Sequence, residues 1–397
     1  MTIPQRKRIL LITRNFPPLT GGMERLNYHI YLELAKEFDI SIAGPQGCQN
    51  YLAAETAVTL FPHKPLGLFL VKSFIMAYRF AVQEKPDLII AGSGVTAIAA
   101  LIAGWRVDAK VMSFLHGLDI LFPHPIYQLL FLPAIRACDG IWVNSKHTAF
   151  LAKQKKIASE KITILHPGVT LPNSNQLNAD PTIFRKSFGI SDDKIILLSV
   201  GRLTQRKGLP EFIQHCLAEI VLQFPDILLV IIGNEASDAL NKQTSMITKI
   251  RQSALEAKVQ DHVLLLGQVS EVDLSHAYLC SDLLVFPVLD LPGDVEGFGM
   301  VAVEAAAHGL PTAAFAVGGV TDAVANKISG WLVKSGDYPG FSKVILNYLE
   351  RHKSYPLIQC AEISKLKCLH YATKFSWELF GEQLRATCQN IIFSNKK

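Results

Sequence analysis

The chain has little charge and no organised cysteine pattern. Charged residues make up 18% of its 397 residues and hydrophobic residues 49%, so large cores can be buried. The seven cysteines are scattered without a Cys-x-x-Cys pair, which argues against a disulfide framework or a zinc site and fits a reducing cytosol. A net charge of +5 is compatible with anionic substrates or an anionic membrane surface, and nothing indicates a nucleic-acid partner.

Several common catalytic motifs are also missing. There is no Walker loop, and no Gly-x-Gly-x-x-Gly follows the first predicted strand, which weighs against nucleoside triphosphatases and dehydrogenases. The Gly-x-Ser-x-Gly elbow of many hydrolases is absent. So is Asp-x-Asp, with which metal-dependent sugar transferases hold a cation, and we therefore expect no metal or other cofactor.

The length predicts two domains, because 397 residues exceed one ordinary hydrophobic core. Short apolar runs alternate with helical segments, a pattern typical of parallel α/β sheets. We predict a first domain over 1–170, a Pro-, Asn- and Ser-rich linker over 171–190, a second domain over 191–374 and a helix from about 375 to 397. Two doubly wound domains facing each other would enclose one cleft, with ligands at the carboxyl ends of the strands.

The strand predictions rest on short apolar runs. They cover 8–13, 39–43, 88–91, 110–115, 140–143 and 162–165 in the first domain, and 195–200, 227–232, 263–266, 283–286 and 312–315 in the second. The uncharged run 88–105 has borderline length for a membrane span, but its glycines favour a buried strand, a turn and a helix.

The segment 294–305 places two glutamates around the start of an apolar helix. Glu296 precedes a Gly-Phe-Gly turn, and Glu304 lies inside the helix. Burying a polar group without a partner costs roughly 2–7 kcal/mol, and a charge costs more, so a ligand rich in hydroxyl groups is indicated. The glycines would let backbone N–H groups approach an anion at the helix start. The segment predicts a nucleotide-sugar pocket.

Two cations stand near the first strand of the second domain. Arg202 follows that strand, and Lys207 comes just before the next helix. Arg can hold two phosphate oxygens at once and Lys acts as a point charge, so the pair could clamp a diphosphate leaving group. A solvated cationic loop is the alternative, since Arg206 is also nearby. The two glutamates favour the functional interpretation.

Three further loops follow predicted strands. Gly21 and Gly22 open a helix and could hold a phosphate or admit an acceptor, or form a plain strand-to-helix turn. His116 could bind a sugar hydroxyl, or satisfy a nearby backbone carbonyl. Gly233 and Asn234 close a strand where a base could rest against backbone.

In order and spacing, these motifs together resemble the family-four retaining glycosyltransferases of the GT-B fold. The likeness covers nearly the whole chain, although each piece alone is common. The matching pieces are Gly21-Gly22-Met23-Glu24, His116-Gly117, Asn144-Ser145, Pro167-Gly168-Val169, Gly201-Arg202, Lys207-Gly208 and Glu296 through Ala305. Asp294-Val295 before the last motif is similar to mannosyltransferases that act on phosphatidylinositol lipids.

The resemblance implies a role for each candidate residue. Arg202 and Lys207 would hold the donor diphosphate, Glu296 would contact the transferred sugar and His116 would lie near it. Glu304 would bind the ribose hydroxyls. The remaining donor-binding residues would be Gly21, Gly22, Gly233, Asn234, Phe298, Gly299, Met300 and Val301.

The resemblance also implies a division of labour between the domains. The first domain would receive the acceptor, the second would bind the nucleotide sugar, and the C-terminal helix would return to the first. Two departures from the family pattern leave the base open: Gly233-Asn234-Glu235 replaces a Gly-x-Gly, and Pro287-Val288 replaces a Pro-Ser.

These features predict a retaining, metal-independent glycosyltransferase. It would move a hexosyl group from a UDP- or GDP-hexose to a glycan or lipid-linked acceptor in polysaccharide or glycolipid synthesis. A sugar-nucleotide epimerase and a non-catalytic nucleotide-sugar binder are the alternatives. We expect a cytoplasmic protein. Peripheral contact with an anionic inner membrane surface stays open, because 66–80 and 122–135 could be interfacial segments or ordinary core helices.

Overall fold

The computed structural model describes residues 6–180, 182–235, 245–354 and 357–393. The chain divides into two compact units. The first comprises Met1–Gly168 and Trp377–Lys397, and the second comprises Val169–Ser376.

The first unit is built on a seven-stranded sheet in the order β3-β2-β1-β4-β5-β6-β7, with every strand pair parallel. Its strands are β1 Arg8–Ile12, β2 Asp39–Pro45, β3 Val58–Phe61, β4 Leu88–Ala91, β5 Lys110–Leu115, β6 Gly140–Val143 and β7 Ile162–Ile164. Its first helices are α1 Gly22–Leu34, α2 Leu66–Glu84, α3 Ala97–Val107, α4 Leu118–Leu121, α5 Leu132–Ala137 and α6 Lys146–Gln154. A π-helical segment, Tyr127–Phe131, runs directly into α5.

The second unit is built on a six-stranded parallel sheet in the order β10-β9-β8-β11-β12-β13. Its strands are β8 Ile195–Val200, β9 Ile227–Ile232, β10 Val263–Gly267, β11 Leu283–Phe286, β12 Thr312–Phe315 and β13 Gly330–Val333. Its helices are α7 Ser174–Leu177, α8 Thr182–Phe188, α9 Leu209–Phe212, α10 Ala218–Gln223, α11 Met246–Glu256, α12 Glu271–Cys280, α13 Met300–Ala307, α14 Val320–Ala323, α15 Tyr338–Ser354 and α16 Leu357–Ala372.

Both sheets have the doubly wound pattern that the sequence predicts. Strands such as β4, β6 and β11 are fully buried apolar runs, as expected where helices cover both faces of a parallel sheet. In each sheet the strand order reverses at one point, between β1 and β4 in the first unit and between β8 and β11 in the second. The carboxyl ends of such strand pairs are where ligands bind in open α/β sheets.

The last helix, α17 Trp377–Phe393, belongs to the first unit and packs on α1. The Trp377 ring stacks on His29 with centroids 3.6 Å apart, and Arg385 pairs with the buried Glu33 at 2.6 Å. A side chain at Gly168 would clash with Trp377, because its Cβ would lie 2.4 Å from the ring. Residues 394–397 of the predicted helix lie outside the described residues.

The segment predicted as a linker, 171–190, has regular structure of its own. It contains α7 and α8 and belongs to the second unit. Phe184 of α8 is fully buried in the core of that unit. An apolar side chain anchored in this way ties the segment to the second unit, which a Pro- and Asn-rich composition did not indicate.

The run 88–105 forms the strand β4, a glycine turn and most of α3, as predicted. Among the described residues, α2 is the one helix whose length and composition would permit a membrane crossing, and its most apolar window is 28% buried. This helix has two faces. Phe69 and Phe80 lie in the core, whereas Leu68, Val71 and Ile75 are exposed.

Candidate active site

The loops after β8 and β11 meet at the point where the second sheet reverses its strand order. The backbone N–H of Leu289 donates to the Arg206 carbonyl at 2.8 Å. Gly208 has a φ of +65°, and a Cβ there would lie 2.1 Å from the Pro287 carbonyl oxygen. Glycine is therefore required at this position, because it permits both the left-handed backbone and the close approach of the loops.

Lys207 and Glu296 form an ion pair inside this crevice. Lys207 Nζ donates to Glu296 Oε2 at 2.8 Å, and the Arg206 guanidinium contacts the same oxygen. Arg206 Nε also donates to Asp294 Oδ1 at 2.9 Å. The side chains of Arg206, Lys207 and Glu296 are each 13% exposed, so the cluster is largely shielded from water.

This cluster keeps Glu296 ionised. Burial raises the pKa of the Glu296 carboxyl, but the charges of Lys207 and Arg206 outweigh burial and lower the pKa to about 2. Burial lowers the pKa of Lys207, and the charge of Glu296 opposes that effect. A carboxylate held in this state can accept hydrogen bonds from hydroxyl groups and does not donate a proton at neutral pH.

Arg202 lies on the solvent side of the same crevice. Its side chain is exposed, and it makes no hydrogen bond or ion pair with any described residue. It is close enough to Lys207 to contribute to lowering that pKa. The arrangement leaves one guanidinium available to an anion beside a buried ammonium group.

The helix α13 starts at the same crevice. Gly299 caps it with a φ of +95°, and the first amides of a helix have no partner within it. Glu304 is 7% exposed, and one of its oxygens accepts a hydrogen bond from the Tyr278 hydroxyl at 3.0 Å. The predicted partner of Glu304 is a ribose, but the structure supplies a protein partner as well.

Phe298, Met300 and Val301, in the Gly-Phe-Gly-Met turn and the start of α13, differ in how far their side chains are buried. The Phe298 side chain is 3% exposed and packs against Phe375 at a centroid distance of 5.6 Å, so it belongs to the core. Any role of Phe298 in donor binding must therefore use its backbone. Met300 and Val301 are half-buried at the first turn of α13.

The Gly233-Asn234 loop runs beside the loop that follows β8. A Cβ at Gly233 would lie 1.9 Å from the Gly201 carbonyl oxygen, and Leu203 N donates to the Asn234 carbonyl at 2.9 Å. The side chain of Asn234 is exposed. Glycine at 233 therefore serves the close contact of two loops, and Asn234 has its side chain available to a ligand.

In the first unit, Gly21 caps α1 and Gly22 is its first residue. A Cβ on Gly21 would lie 2.3 Å from the Glu24 carboxylate, which accepts a hydrogen bond from Asn15 at 2.7 Å. The loop is thus fixed by the Asn15–Glu24 contact after β1.

His116 follows β5 at the carboxyl edge of the first sheet. Its Nε2 lies 3.0 Å from the Gly92 carbonyl oxygen, and its ring stacks on Phe114. A carbonyl only accepts, so Nε2 carries the proton and Nδ1 of the neutral ring is an acceptor. His116 therefore makes the backbone carbonyl contact that was the alternative to binding a sugar hydroxyl. This contact also orients the other ring nitrogen, which bonds to no described residue and could accept from a hydroxyl group.

Sequence reasoning missed three residues of the second unit's site. Arg206 was visible as a nearby charge but had no assigned role. Asp294 adjoins the Glu296 motif without a spacing that would predict its pairing with Arg206. Tyr278 gives no sequence signal, because it approaches Glu304 from α12, 26 residues away.

Two known families match this chain, one over most of the first unit and the other over most of the second. The family described as Glycosyltransferase Family 4 matches residues 20–171, and that described as Glycosyl transferases group 1 matches residues 180–358. The chain belongs to the family-four glycosyltransferases, as the motifs predicted.

Two relatives show how far sequence likeness extends. D-inositol 3-phosphate glycosyltransferase of Mycolicibacterium smegmatis is 31% identical over 217 residues, which cover 55% of this chain and 44% of that protein. The chain thus matches less than half the length of this relative. A GDP-mannose-dependent monoacylated alpha-(1-6)-phosphatidylinositol monomannoside mannosyltransferase of Corynebacterium glutamicum is 23% identical, with 97% of this chain and 98% of that protein covered.

Solved structures share the fold over nearly the full chain. HepE of Anabaena, in complex with UDP, has a TM-score of 0.76 at 18% identity, covering 97% of this chain and 100% of that chain. WaaG, a glycosyltransferase involved in lipopolysaccharide biosynthesis, has a TM-score of 0.68 at 16% identity, covering 98% and 100%. These likenesses establish the fold class alone and confirm the predicted GT-B assignment.

Proposed function

We propose that this chain is a retaining, metal-independent glycosyltransferase. It would transfer a hexosyl group from a nucleotide diphosphate sugar to a glycan or lipid-linked acceptor in cell-surface polysaccharide or glycolipid synthesis. The observation that carries the proposal is the crevice after β8 and β11, where Lys207 pairs with Glu296 beside the exposed Arg202. The two cations could balance the charge of a diphosphate leaving group, and the carboxylate could accept hydrogen bonds from a sugar.

The proposed chemistry assigns the two cations to the leaving group. As the bond between the sugar and the diphosphate breaks, negative charge grows on the diphosphate, and preorganised cations stabilise that charge most where water is excluded. Arg202 and Lys207 would supply this stabilisation, and the first amides of α13 would add to it. The ionised Glu296 would accept hydrogen bonds from sugar hydroxyls, and Glu304 from the ribose.

The donor base is proposed as uracil or guanine. The name of the Corynebacterium glutamicum relative specifies GDP-mannose, while HepE was solved with UDP and with UDP-glucose. The Corynebacterium glutamicum protein is similar to this chain in sequence and HepE is similar to it in fold, so both bases enter the proposal.

A donor panel tests the proposal. The purified protein is mixed with UDP- and GDP-hexoses, and the increase in its unfolding temperature is measured, because a ligand that binds the folded state raises apparent stability. The stabilising donor is then incubated with lipid and glycan acceptors in excess EDTA, and the anomeric configuration of the product is determined by NMR. Transfer with retention, unaffected by EDTA, is expected.

Three results would contradict the proposal. Isomerisation of the donor without acceptor would identify an epimerase, and tight binding with neither transfer nor hydrolysis would identify a non-catalytic binder. Loss of activity in EDTA with recovery on adding a divalent cation would refute metal independence. Lys207→Ala is the inactive control for the transfer assay.

We further propose that the first unit contacts an anionic membrane surface, at the inner face of the membrane. The exposed side of α2 presents Leu68, Val71 and Ile75, and the π-helical segment presents Leu129 at 73% exposure. Both border one groove of 460 Å³. Residues 64–83 and 120–138 contain no acidic side chain, while Lys72 and Arg79 are exposed on α2. Apolar residues flanked by cations suit an interface with anionic lipids.

Vesicle sedimentation tests this contact. The protein should co-sediment with phosphatidylcholine vesicles containing phosphatidylglycerol more than with phosphatidylcholine alone. Leu129→Asp should reduce binding, while Leu222→Asp, at a position 84% exposed in the second unit, should not. Equal binding by both variants would contradict the assignment of this face.

A further inference from the structure

Arg206 lies between two carboxylates of the loop after β11. Its Nε donates to Asp294 Oδ1 at 2.9 Å, and its Nη1 contacts Glu296 Oε2, the oxygen that Lys207 Nζ also reaches at 2.8 Å. The Arg206 side chain is 13% exposed, against 43% for Asp294. One buried guanidinium thus links the carboxylate proposed to face the sugar with a second carboxylate nearer the solvent.

We propose that Arg206 is a positioning residue for Glu296, with Asp294 as its counter-ion. This inference rests on the proposed function, because it assigns how one group of that site is held. Lys207 has two partners in this scheme, Glu296 and the donor diphosphate. When Lys207 turns toward the diphosphate, Arg206 keeps Glu296 in place and ionised.

The local geometry fits an arginine at this position. Gln205–Lys207 is a 3-10 turn, in which successive side chains point about 120° apart, yet Arg206 and Lys207 both reach Glu296. The carboxylate is therefore held from two directions. A planar guanidinium with five donors can bond two carboxylates at once, which a lysine does not do in the same fixed geometry.

The charge balance of the crevice supports the division of roles. Two of the three cations in the crevice, Arg206 and Lys207, pair with the carboxylates Asp294 and Glu296, and Arg202 lies near Lys207 without pairing to a described carboxylate. Without Asp294, Arg206 would keep Glu296 as its one carboxylate partner among the described residues and would be freer to turn toward an arriving diphosphate. With Asp294 present, Arg206 stays bound to the loop after β11, and Arg202 and Lys207 are left for the diphosphate.

Steady-state kinetics provide the first test. Arg206→Ala should lower kcat about 10²-fold, the size expected when a group near the reaction is displaced, while the donor KM changes by less than about threefold. Arg206→Lys should recover part of the kcat that Arg206→Ala loses, because lysine keeps the positive charge but lacks the planar guanidinium that bonds two carboxylates at once. Gln205→Ala, an exposed neighbour in the same turn, is the matched control and should behave like the unmodified protein.

The pKa of Glu296 provides a readout that needs no turnover. It can be measured from the carboxyl ¹³C shift of the protein labelled on glutamate, with Glu296→Gln assigning the signal. Arg206→Ala removes a cation and should raise this pKa, whereas Asp294→Asn removes an anion and should lower it. Both variants should nevertheless lower kcat, because both loosen the carboxylate.

The two readouts separate the outcomes. If Arg206→Ala matches Gln205→Ala in kcat and leaves the Glu296 pKa unchanged, the assignment of Arg206 is overturned. If the unmodified protein transfers no hexose but the pKa shifts occur in the stated directions, the proposed function fails and Arg206 still holds Glu296. Should Arg206→Ala fail to fold, Arg206→Lys and Asp294→Asn carry both measurements.

Discussion

The two units share a topology but present different chemistry at the carboxyl edges of their sheets. After β8 and β11, the second unit gathers three cations and two carboxylates in one crevice. After β1, β4 and β5, the first unit presents the His116 ring, backbone carbonyls and the Asn15–Glu24 contact. The strand order determines where a ligand can bind, and the loop residues determine which ligand. The cations of the second unit suit a diphosphate, and His116 of the first unit suits a hydroxyl group.

The largest effect is expected from a substitution that disrupts the first unit alone. Trp377 is 8% exposed and stacks on His29, so Trp377→Ala should destabilise this unit by about 3–5 kcal/mol. Hydrogen exchange read by mass spectrometry would show the loss in the first unit and not in the second. Trp105→Ala, at an exposed position in the same unit, is the control. Equal loss of protection in both units would mean that the helix α17 does not stabilise the first unit in particular.

The next effect concerns the cations of the second unit. Arg202→Ala and Lys207→Ala should each lower kcat about 10²–10³-fold, because each removes charge stabilisation from the leaving diphosphate. Lys249→Ala removes an exposed cation elsewhere in the second unit and should leave kcat unchanged. Single-turnover transfer rates on folded protein would measure the difference. Near-normal rates in both site variants would remove the basis for the leaving-group assignment.

A pH effect distinguishes the units further. Burial lowers the pKa of His29 from 6.5 to about 4, with Arg25 adding to the effect. Between these values the unfolded chain binds more protons at this site than the folded chain, so stability should fall as pH drops from 6.5 to 4. The free energy of unfolding of the first unit, measured across this range, should depend less on pH in His29→Gln. The exposed His124→Gln should keep the full dependence, and identical curves for all three proteins would refute the prediction.

The smallest effect lies within the second unit. Tyr278→Phe removes one hydrogen bond to Glu304 and should weaken nucleotide diphosphate binding by about 0.5–1.5 kcal/mol. Glu304→Ala should weaken it more, because the carboxylate itself is lost. Calorimetric titration with UDP and GDP would measure both. Unchanged affinity in Glu304→Ala would indicate that this residue has a structural role only.

Sequence patterns located all but two of the strands in the part of the chain that the structure describes. The runs that form β4, β8 and β11 are apolar and bounded by turn residues, so their limits matched the structure. The strands β3 Val58–Phe61 and β13 Gly330–Val333 were missed. Each lies at one edge of its sheet, but the strands at the opposite edges, β7 and β10, were predicted, so edge position alone does not account for the two misses.

The candidate site could be predicted only in part, because some of its features are local in sequence and others join distant residues. Lys207 and Glu296 could be selected as candidate site residues from the sequence, because glycines and charges at strand ends are local signals. Their ion pair joins residues 89 positions apart, and the contact of Arg206 with Asp294 joins residues 88 apart. No local pattern encodes such distances, since they depend on how two loops pack at the end of the sheet.

The alternation of apolar runs and helices, and with it two parallel sheets, follows from local features of the sequence. So do the residue types that stand after each strand, because these depend on local periodicity and turn chemistry. Which side chains meet depends on the folded chain as a whole: Arg206 contacts Asp294 and Glu296, Tyr278 contacts Glu304, and Trp377 contacts His29. Those contacts follow from the packing of elements distant in the chain, which depends on how side-chain shapes and charges fit together in the folded protein.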